Sequence, residues 1–344
     1  DSMKDGWGRT IDYMRISITD RCNLRCRYCM PDGGESVPRW DILSLEEIQA
    51  AAVCAAGLGI RYIKITGGEP LVRRDCCLLV ERIKKIPGIE KVTLTTNGVA
   101  LGECLEELIR AGIDGINISL DTLDAECYRK ITGRDCLDKV LESIRRAASF
   151  GIPVKVNAVS LDLGDENWKE LIKLGESLPV DVRFIEMMPI GHGKGFPSMD
   201  HRELLEKMQA VYPHMEPDRS RHGYGPAVYW RIPGFQGSVG FISAIHGKFC
   251  ADCNRVRLTS QGYLKSCLCY EDGVDLRPIL RGETKRPEQD QHYRWPKELS
   301  PDDEALQGRL REAMARAISH KPKAHCFERP QDITEEADMS AIGG

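Results

Sequence analysis

Tyr13-Met14-Arg15-Ile16-Ser17-Ile18-Thr19 alternates apolar and polar positions, the two-residue period of a half-buried β-strand. The period then changes. Ser44-Leu45-Glu46-Glu47 is a helix-start pattern, Ile48, Ala51, Ala52 and Ala55 follow at helical spacing, and Gly57 and Gly59 end the run. From there the two periods take turns. Strands are predicted over Arg61–Thr66, Lys91–Thr96, Gly115–Leu120, Val154–Ser160 and Asp181–Met187. Helices are predicted over Asp75–Lys85, Gly102–Arg110, Ala125–Lys130, Leu137–Ala148 and Asn167–Ser177. Strands that recur every ~25–35 residues with helices between them imply parallel pairing through crossover connections.

A doubly wound sheet and a barrel fit that alternation equally well. The polar motifs decide. Cys22–Cys29, Gly67–Pro70, Asn97, Asp121, Lys155 and Arg183–Met188 lie at or near the carboxyl ends of successive strands. A barrel gathers all those ends at one mouth, whereas an open sheet favours one switch point. The expected fold is α/β, an incomplete (β/α)6 TIM-type barrel over residues 8–190. A C-terminal α+β domain over residues 191–344 is expected to cover the barrel mouth.

In that second part a helix is predicted over Asp200–Val211, with strands near Ala227–Arg231, Ser238–Ile242 and Asn254–Thr259. The last of these turns back through Ser260-Gln261-Gly262 into Tyr263–Ser266, a hairpin signal. Arg286–Ser300 reads as a polar loop, and Asp303–Ile318 as an amphipathic helix packed on the barrel.

Length allows one large core with an appended unit, or two domains. With 48 Lys+Arg against 52 Asp+Glu the net charge is −4, which gives no sign of a nucleic-acid or membrane partner. No apolar run has the length of a membrane span, and Asp1–Trp7 does not read as a signal peptide, so a cytoplasmic protein is expected. In that compartment 14 cysteines are expected to be free thiols and metal ligands rather than disulfides.

Two groups of cysteines carry chemistry. Cys22, Cys26 and Cys29, spaced C-x3-C-x2-C, fall on a loop just past the first strand. Iron–sulfur clusters usually take four cysteines, so three leave an iron open to another ligand. Zinc is the chemical rival, but a structural zinc site closes its shell, and no His lies near this loop. The second group, Cys250-x2-Cys253-x13-Cys267, brackets the hairpin. With Cys269 as a fourth ligand it reads as a zinc ribbon; without it, as a second open cluster.

Gly67-Gly68-Glu69-Pro70 offers close backbone approach to a ligand, or is a plain tight turn. Arg15, Lys64, Lys155 and Arg183 are cations inside strands that alternation points toward a core, where each needs an anion. Together they suggest a polyanionic substrate, with outer-face positions or acids such as Glu186 as the plainer account. Arg255 and Arg257 share one face of the strand after Cys253, placed for phosphate, for a purine, or for solvent.

The C-x3-C-x2-C loop followed by Gly-Gly-Glu-Pro resembles the radical S-adenosylmethionine (SAM) superfamily. The second C-x2-C-x13-C, the strand Asn254-Arg255-Val256-Arg257 and the terminal Gly343-Gly344 narrow the resemblance to the GTP 3′,8-cyclases, which open molybdenum-cofactor biosynthesis. The resemblance, from about Gly8 to Gly344, implies two 4Fe–4S clusters. Cys22, Cys26 and Cys29 would hold the one that binds SAM, and Cys250, Cys253 and Cys267 the one that binds guanine. It implies that a 5′-deoxyadenosyl radical takes the 3′ hydrogen of GTP, giving (8S)-3′,8-cyclo-7,8-dihydroguanosine 5′-triphosphate. Tyr28, Gly67, Gly68, Glu69, Pro70, Ser119 and Met188 would meet SAM. Arg15, Lys64, Thr95, Lys155, Arg183, Arg255, Val256 and Arg257 would meet GTP. Arg255, Arg257, Gly343 and Gly344 would act in catalysis, the tail threading into the mouth to set the two arginines. At Lys64 the family often has arginine, and Lys keeps the charge without the bidentate fork. The stretch Glu283–Ser300 is longer than the resemblance leads one to expect.

Implied partners are GTP, an external one-electron reductant and the next enzyme, a cyclic pyranopterin monophosphate synthase, with no nucleic acid and no membrane. Monomer and homodimer both remain open. The rivals are another two-cluster radical SAM enzyme, such as a peptide maturase, and a non-catalytic zinc-binding scaffold.

Overall fold

The alternating runs of the first half fold as six strands: β1 (Tyr13–Ser17), β2 (Tyr62–Thr66), β3 (Lys91–Thr96), β4 (Gly115–Ser119), β5 (Val154–Val159) and β6 (Val180–Ile185). They pair parallel in chain order. Helices α1 (Leu45–Gly57), α2 (Cys76–Lys84), α3 (Leu101–Arg110), α4 (Ala125–Thr132), α5 (Leu137–Ser149) and α6 (Asp165–Ser177) connect them. The computed structural model describes residues 2–33, 37–282 and 299–343. Most of Glu283–Ser300, the long stretch noted above, therefore lies outside the described residues, as does Gly344.

The helix start read at Ser44 forms a complete capping box. Ser44 Oγ accepts from Glu47 N at 3.1 Å and Glu47 Oε2 from Ser44 N at 2.8 Å. Two of the helix's orphan N–H groups are satisfied in this way. Behind the cap, Ile48, Ala51, Ala52 and Ala55 are buried against the sheet.

The C-terminal part contributes α7 (His201–Val211), β7 (Glu216–Asp218), β8 (Val228–Arg231), β9 (Val239–Ile242), β10 (Arg255–Leu258), β11 (Tyr263–Lys265), β12 (Gly273–Asp275), α8 (Arg277–Arg281) and α9 (Glu304–Ser319). Its strands extend the first sheet at both ends. β10 pairs parallel with β1, and β9 pairs parallel with β6. Among the described residues the order is β12-β11-β10-β1-β2-β3-β4-β5-β6-β9-β8-β7, open at β12 and β7. The expected barrel is thus incomplete, but eight parallel strands rather than six form its wall. The predicted hairpin is β10–β11, with Gly262 at φ 89° in its turn. Helix α9 packs on α1, α8, β11 and β12.

Alternation assigns the two faces. Met14, Ile16, Ile63, Ile65, Val92, Leu94, Ile116 and Ile118 are buried in the helix-covered core, each such side chain contributing about 1.5–3 kcal/mol of burial. The residues between them face inward, and the register sets Arg15 beside both Lys64 and Arg257, Thr95 beside Asn117, Asn117 beside Lys155, and Asn157 beside Arg183. One face of the sheet is hydrocarbon and the other carries the charge. Among the described residues no helix is long and apolar enough to cross a membrane.

Candidate active site

Both cysteine triads line a single cavity of about 840 Å³ inside the curved sheet. It runs the depth of the barrel, with Tyr62, Lys91 and Pro179 at the amino ends of strands and Thr66, Asn97 and Asp121 at the carboxyl ends all contributing.

The first triad is held by its own loop and by the strand ends. Cys29 N and Met30 N both donate to the Cys26 carbonyl, at 3.0 and 2.8 Å. Arg25 N and Arg27 N donate to the carbonyls of Thr132 and Ile131 at the end of α4, at 2.8 and 3.0 Å. The glycine pair explains the loop's position. Gly68 N donates to the Thr19 carbonyl and Glu69 N to the Arg21 carbonyl, both at 2.8 Å. A Cβ on Gly68 would collide with the Arg21 carbonyl and lie 2.7 Å from that of Asp20, and one on Gly67 would lie 2.8 Å from that of Thr19. The close backbone approach read from the sequence is therefore made to the cysteine loop. Glu69 turns back under it, accepting from Thr96 Oγ1 at 2.6 Å, Asn97 N at 2.7 Å and Leu71 N at 3.1 Å. Burial pushes this carboxyl up to about 7, against those three donors. Tyr28 donates from its hydroxyl to Asp121 Oδ2 at 2.6 Å. Ser119 and Met188 line the cavity; Pro70, in the turn after Glu69, is buried and does not.

The thiols suit a cluster. Leu24 N and Asn97 Nδ2 point at Cys22 Sγ, at 3.4 and 3.9 Å, and His325 N points at Cys250 Sγ at 3.4 Å. Such donors stabilise negative sulfur. Cys269 stands apart from the second triad. Its sulfur lies 3.0 Å from that of Cys326, both are buried in a small apolar cluster, and neither lines the cavity. The sequence left open whether Cys269 joins as a fourth ligand; in the structure its side chain turns into that apolar cluster, beside Cys326.

Between the triads lies a wall of cations. Arg15, Lys64, Lys155, Arg183, Arg255 and Arg257 all line the cavity, and so does Thr95. Lys64 is pushed well below the usual lysine value, first by burial and then by Arg183, Arg15 and Lys155. Arg15 is lowered to about 10, mainly by burial, with Arg255 and Arg183 acting the same way. Lys155 falls to about 8 by burial and the charge of Arg183. In the amide orientation that satisfies both neighbours, Asn117 Oδ1 accepts from Lys64 Nζ at 2.6 Å and Arg183 Nη2 at 2.9 Å. Asn157 Oδ1 accepts from Arg183 Nε at 2.8 Å. Neutral amides thus hold Lys64 and Arg183 in position. The Arg255 guanidinium lies over the rings of Tyr13 and Phe249, and its buried Nε has no hydrogen-bond partner among the described residues.

Val256 is different. Alternation sends its side chain into the core between the two arginines, so only its backbone can face a ligand. The tail does reach the mouth. The Gly343 carbonyl accepts from Arg15 Nη2 and Arg257 Nη1, both at 3.3 Å. Among the described residues Arg255 Nη2 goes instead to Asn254 Oδ1 at 3.5 Å.

The floor of the cavity has no counterpart in any local pattern of the chain. The loop between β7 and β8 closes the amino end of the barrel, with Tyr224 stacked on Tyr62 at 3.5 Å and Arg221 over Tyr224 at 4.2 Å. Lys155 donates to the His222 carbonyl, and His222 bridges Asp181 and Asp218 at 2.8 Å each. Asn117 was findable, since it shares the inward register of Lys155. Lys321, a lone lysine beyond α9, was not.

A family model described as the Radical SAM superfamily matches residues 16–177, and one described as Molybdenum Cofactor Synthesis C matches 180–327. A curated GTP 3′,8-cyclase of Clostridium perfringens (strain SM101 / Type A) is 40% identical over 344 residues, covering 99% of this chain and 100% of that protein. One of Moorella thermoacetica is 41% identical over 347 residues, covering 99% and 100%. Among solved structures, Streptococcus suis SuiB is similar in fold, with a TM-score of 0.58 at 15% identity over 97% of this chain and 77% of that one. With full-length identity at this level on top of the two facing triads, the chain belongs to the GTP 3′,8-cyclase family of radical SAM enzymes.

Proposed function

We propose that this chain converts GTP to (8S)-3′,8-cyclo-7,8-dihydroguanosine 5′-triphosphate, the first step of molybdenum-cofactor biosynthesis. The observation that carries the reading is the single cavity lined by both thiol triads and by Arg15, Lys64, Lys155, Arg183, Arg255 and Arg257. Cys22, Cys26 and Cys29 hold one 4Fe–4S cluster and Cys250, Cys253 and Cys267 the other. When bound, the first cluster and SAM supply the 5′-deoxyadenosyl radical that removes the 3′ hydrogen of GTP, with the electron coming from an external reductant.

The protein's own part is binding, orientation and shelter. Lys64, Lys155 and Arg183, held by Asn117 and Asn157, meet the triphosphate. Arg255 and Arg257 meet the base with the Val256 backbone, Arg15 reaches across from β1, and Thr95 lines the same wall. Tyr28, Gly68, Ser119 and Met188 lie on the side where SAM binds. Gly67 and Glu69 line the same side of the cavity and also support the cysteine loop, and Pro70 shapes that turn. A carbon radical reacts with almost anything, so the target hydrogen must be close and water excluded. The tail at the mouth and the Tyr224 plug at the floor support that requirement. Residues 8–190 carry the SAM side and 191–344 the second-cluster side of one shared sheet. The free thiols support a reducing compartment such as the cytoplasm.

The test is anaerobic reconstitution with iron and sulfide, then product analysis with GTP, SAM and a reductant. A cyclised nucleotide and 5′-deoxyadenosine in equal amounts are expected. 5′-Deoxyadenosine formed with no nucleotide product would overturn the substrate assignment.

A further inference from the structure

Lys321 is 4% exposed and lines the cavity beside Cys250, Cys253 and Cys267. Its Nζ donates to the carbonyl of Ser266, the neighbour of Cys267, and not to a carboxylate. A buried ammonium is expensive unless an anion compensates it. The anion at hand is the second thiol triad.

The lysine is also held in place with unusual thoroughness. Arg9 pairs with Asp5 at 2.6 Å and spreads its guanidinium over three carbonyls: Cys250 at 2.7 Å, Pro322 at 2.6 Å and Lys323 at 2.9 Å. Trp7 Nε1 donates to the Lys321 carbonyl itself at 3.0 Å. One N-terminal clamp thus fixes a cysteine of the second triad and the segment that carries the lysine in a common frame.

The first triad sits in the opposite field. Glu69 lies against its loop, accepting from Asn97 N at 2.7 Å, and Asp121 accepts from the Tyr28 hydroxyl at 2.6 Å, while Arg25 Nη1 donates to the Cys22 carbonyl at 2.8 Å. Adding an electron makes a cluster more negative, so a fixed cation nearby favours the reduced state, and strongly so where water is excluded.

We infer that Lys321 is a positioning residue for the second cluster, a clamped positive charge that raises its reduction potential relative to the first. Arg255 and Arg257 also border that triad, but the proposed function commits them to the nucleotide, which leaves Lys321 as the cation that stays with the cluster. The inference rests on the two-cluster reading.

The test is an EPR-monitored redox titration of the reconstituted protein, comparing wild type with Lys321→Met, Lys321→Gln and Lys321→Arg. Glutamine keeps a donor for the Ser266 carbonyl while removing the charge. In the Met and Gln variants the reduced-to-oxidised ratio of the second cluster, at a fixed potential, should fall about tenfold, a shift of about 59 mV for one electron. The first cluster should not move, and Arg should restore the wild-type value. Loss of the second cluster from Met and Gln but not from Arg would support the same pairing. A second-cluster potential unchanged in the neutral variants overturns the inference, as does equal loss of the cluster from all three. A wild-type chain holding a single cluster overturns the two-cluster reading as well, which distinguishes the two failures.

Discussion

Arg257 Nη1 and the Gly343 carbonyl oxygen stand 3.3 Å apart, which ties the last described residue of the chain to the strand that follows the second cysteine pair. Arg15 Nη2 shares that acceptor from the neighbouring strand. A glycine is apt here, since φ is 87° and the site of a Cβ is 3.4 Å from Ser17. Hydrogen bonds to charged groups contribute about 1.5–3 kcal/mol each, so removing Gly343 and Gly344 should lower kcat/KM about 100-fold or more. Iron content should stay unchanged, because no cluster ligand is touched. Full activity in the truncated protein would take the tail out of the mechanism.

Lys64 should trade stability for binding. It is buried beside Arg15 and Arg183 with a neutral amide as its close partner. Replacing a buried cation by an apolar side chain of similar size often stabilises a fold. Lys64→Met should therefore melt higher than wild type without nucleotide, yet bind GTP about 30-fold or more weakly, since losing one partner of a buried charge pair costs about 2–5 kcal/mol. Calorimetry with and without GTP reads both. A lower melting temperature together with unchanged affinity would contradict the cation-wall account.

The Gly68 contact makes a selective prediction about iron. Gly68→Ala places a methyl group 2.7 Å from the Asp20 carbonyl and closer still to that of Arg21, so the cysteine loop must shift. Iron should fall from about eight to about four per chain, two 4Fe–4S sites becoming one. Cys269→Ser should leave the wild-type iron content, because that thiol pairs with Cys326. Loss of iron from Cys269→Ser would make it a ligand.

Glu69 gives a pH dependence. Its folded value, about 7, lies above the ordinary 4.5. Between those values the folded chain holds more protons than the unfolded one, so this group makes stability fall as pH rises. The fall is about 3 kcal/mol across that window. Denaturant melts of cluster-free protein should show the slope, and Glu69→Gln should flatten it even if its overall stability is lower. An identical slope in the variant would mean that Glu69 ionises normally.

Much of this was legible in the sequence because period and spacing are local properties. Arg15, Lys64, Lys155 and Arg183 faced inward because strand alternation leaves no other choice once Ile16, Ile65, Val156 and Phe184 are buried. The same rule, applied to Val256 between Arg255 and Arg257, puts its side chain in the core. What remained hidden depends on pairing between distant segments. β9 and β10, both predicted as strands, join the parallel wall without the crossover-helix rhythm that marked β1 to β6, so their place in it was hidden. Alternation along β4 turns Asn117 inward, but its bonds to Lys64 and Arg183 come from strands two places away on either side, which no local pattern pairs with it. The Arg9 clamp joins segments more than 240 residues apart at Cys250, and no local pattern announces it.

The most direct measurement uses GTP carrying deuterium at C3′, incubated anaerobically with the reconstituted protein, SAM and reductant. If the cavity holds the nucleotide sugar against the SAM side, deuterium appears in the 5′-deoxyadenosine released, one label per cyclised nucleotide. Unlabelled 5′-deoxyadenosine, formed equally fast without GTP, would contradict the claim that the cations between the two triads hold the substrate.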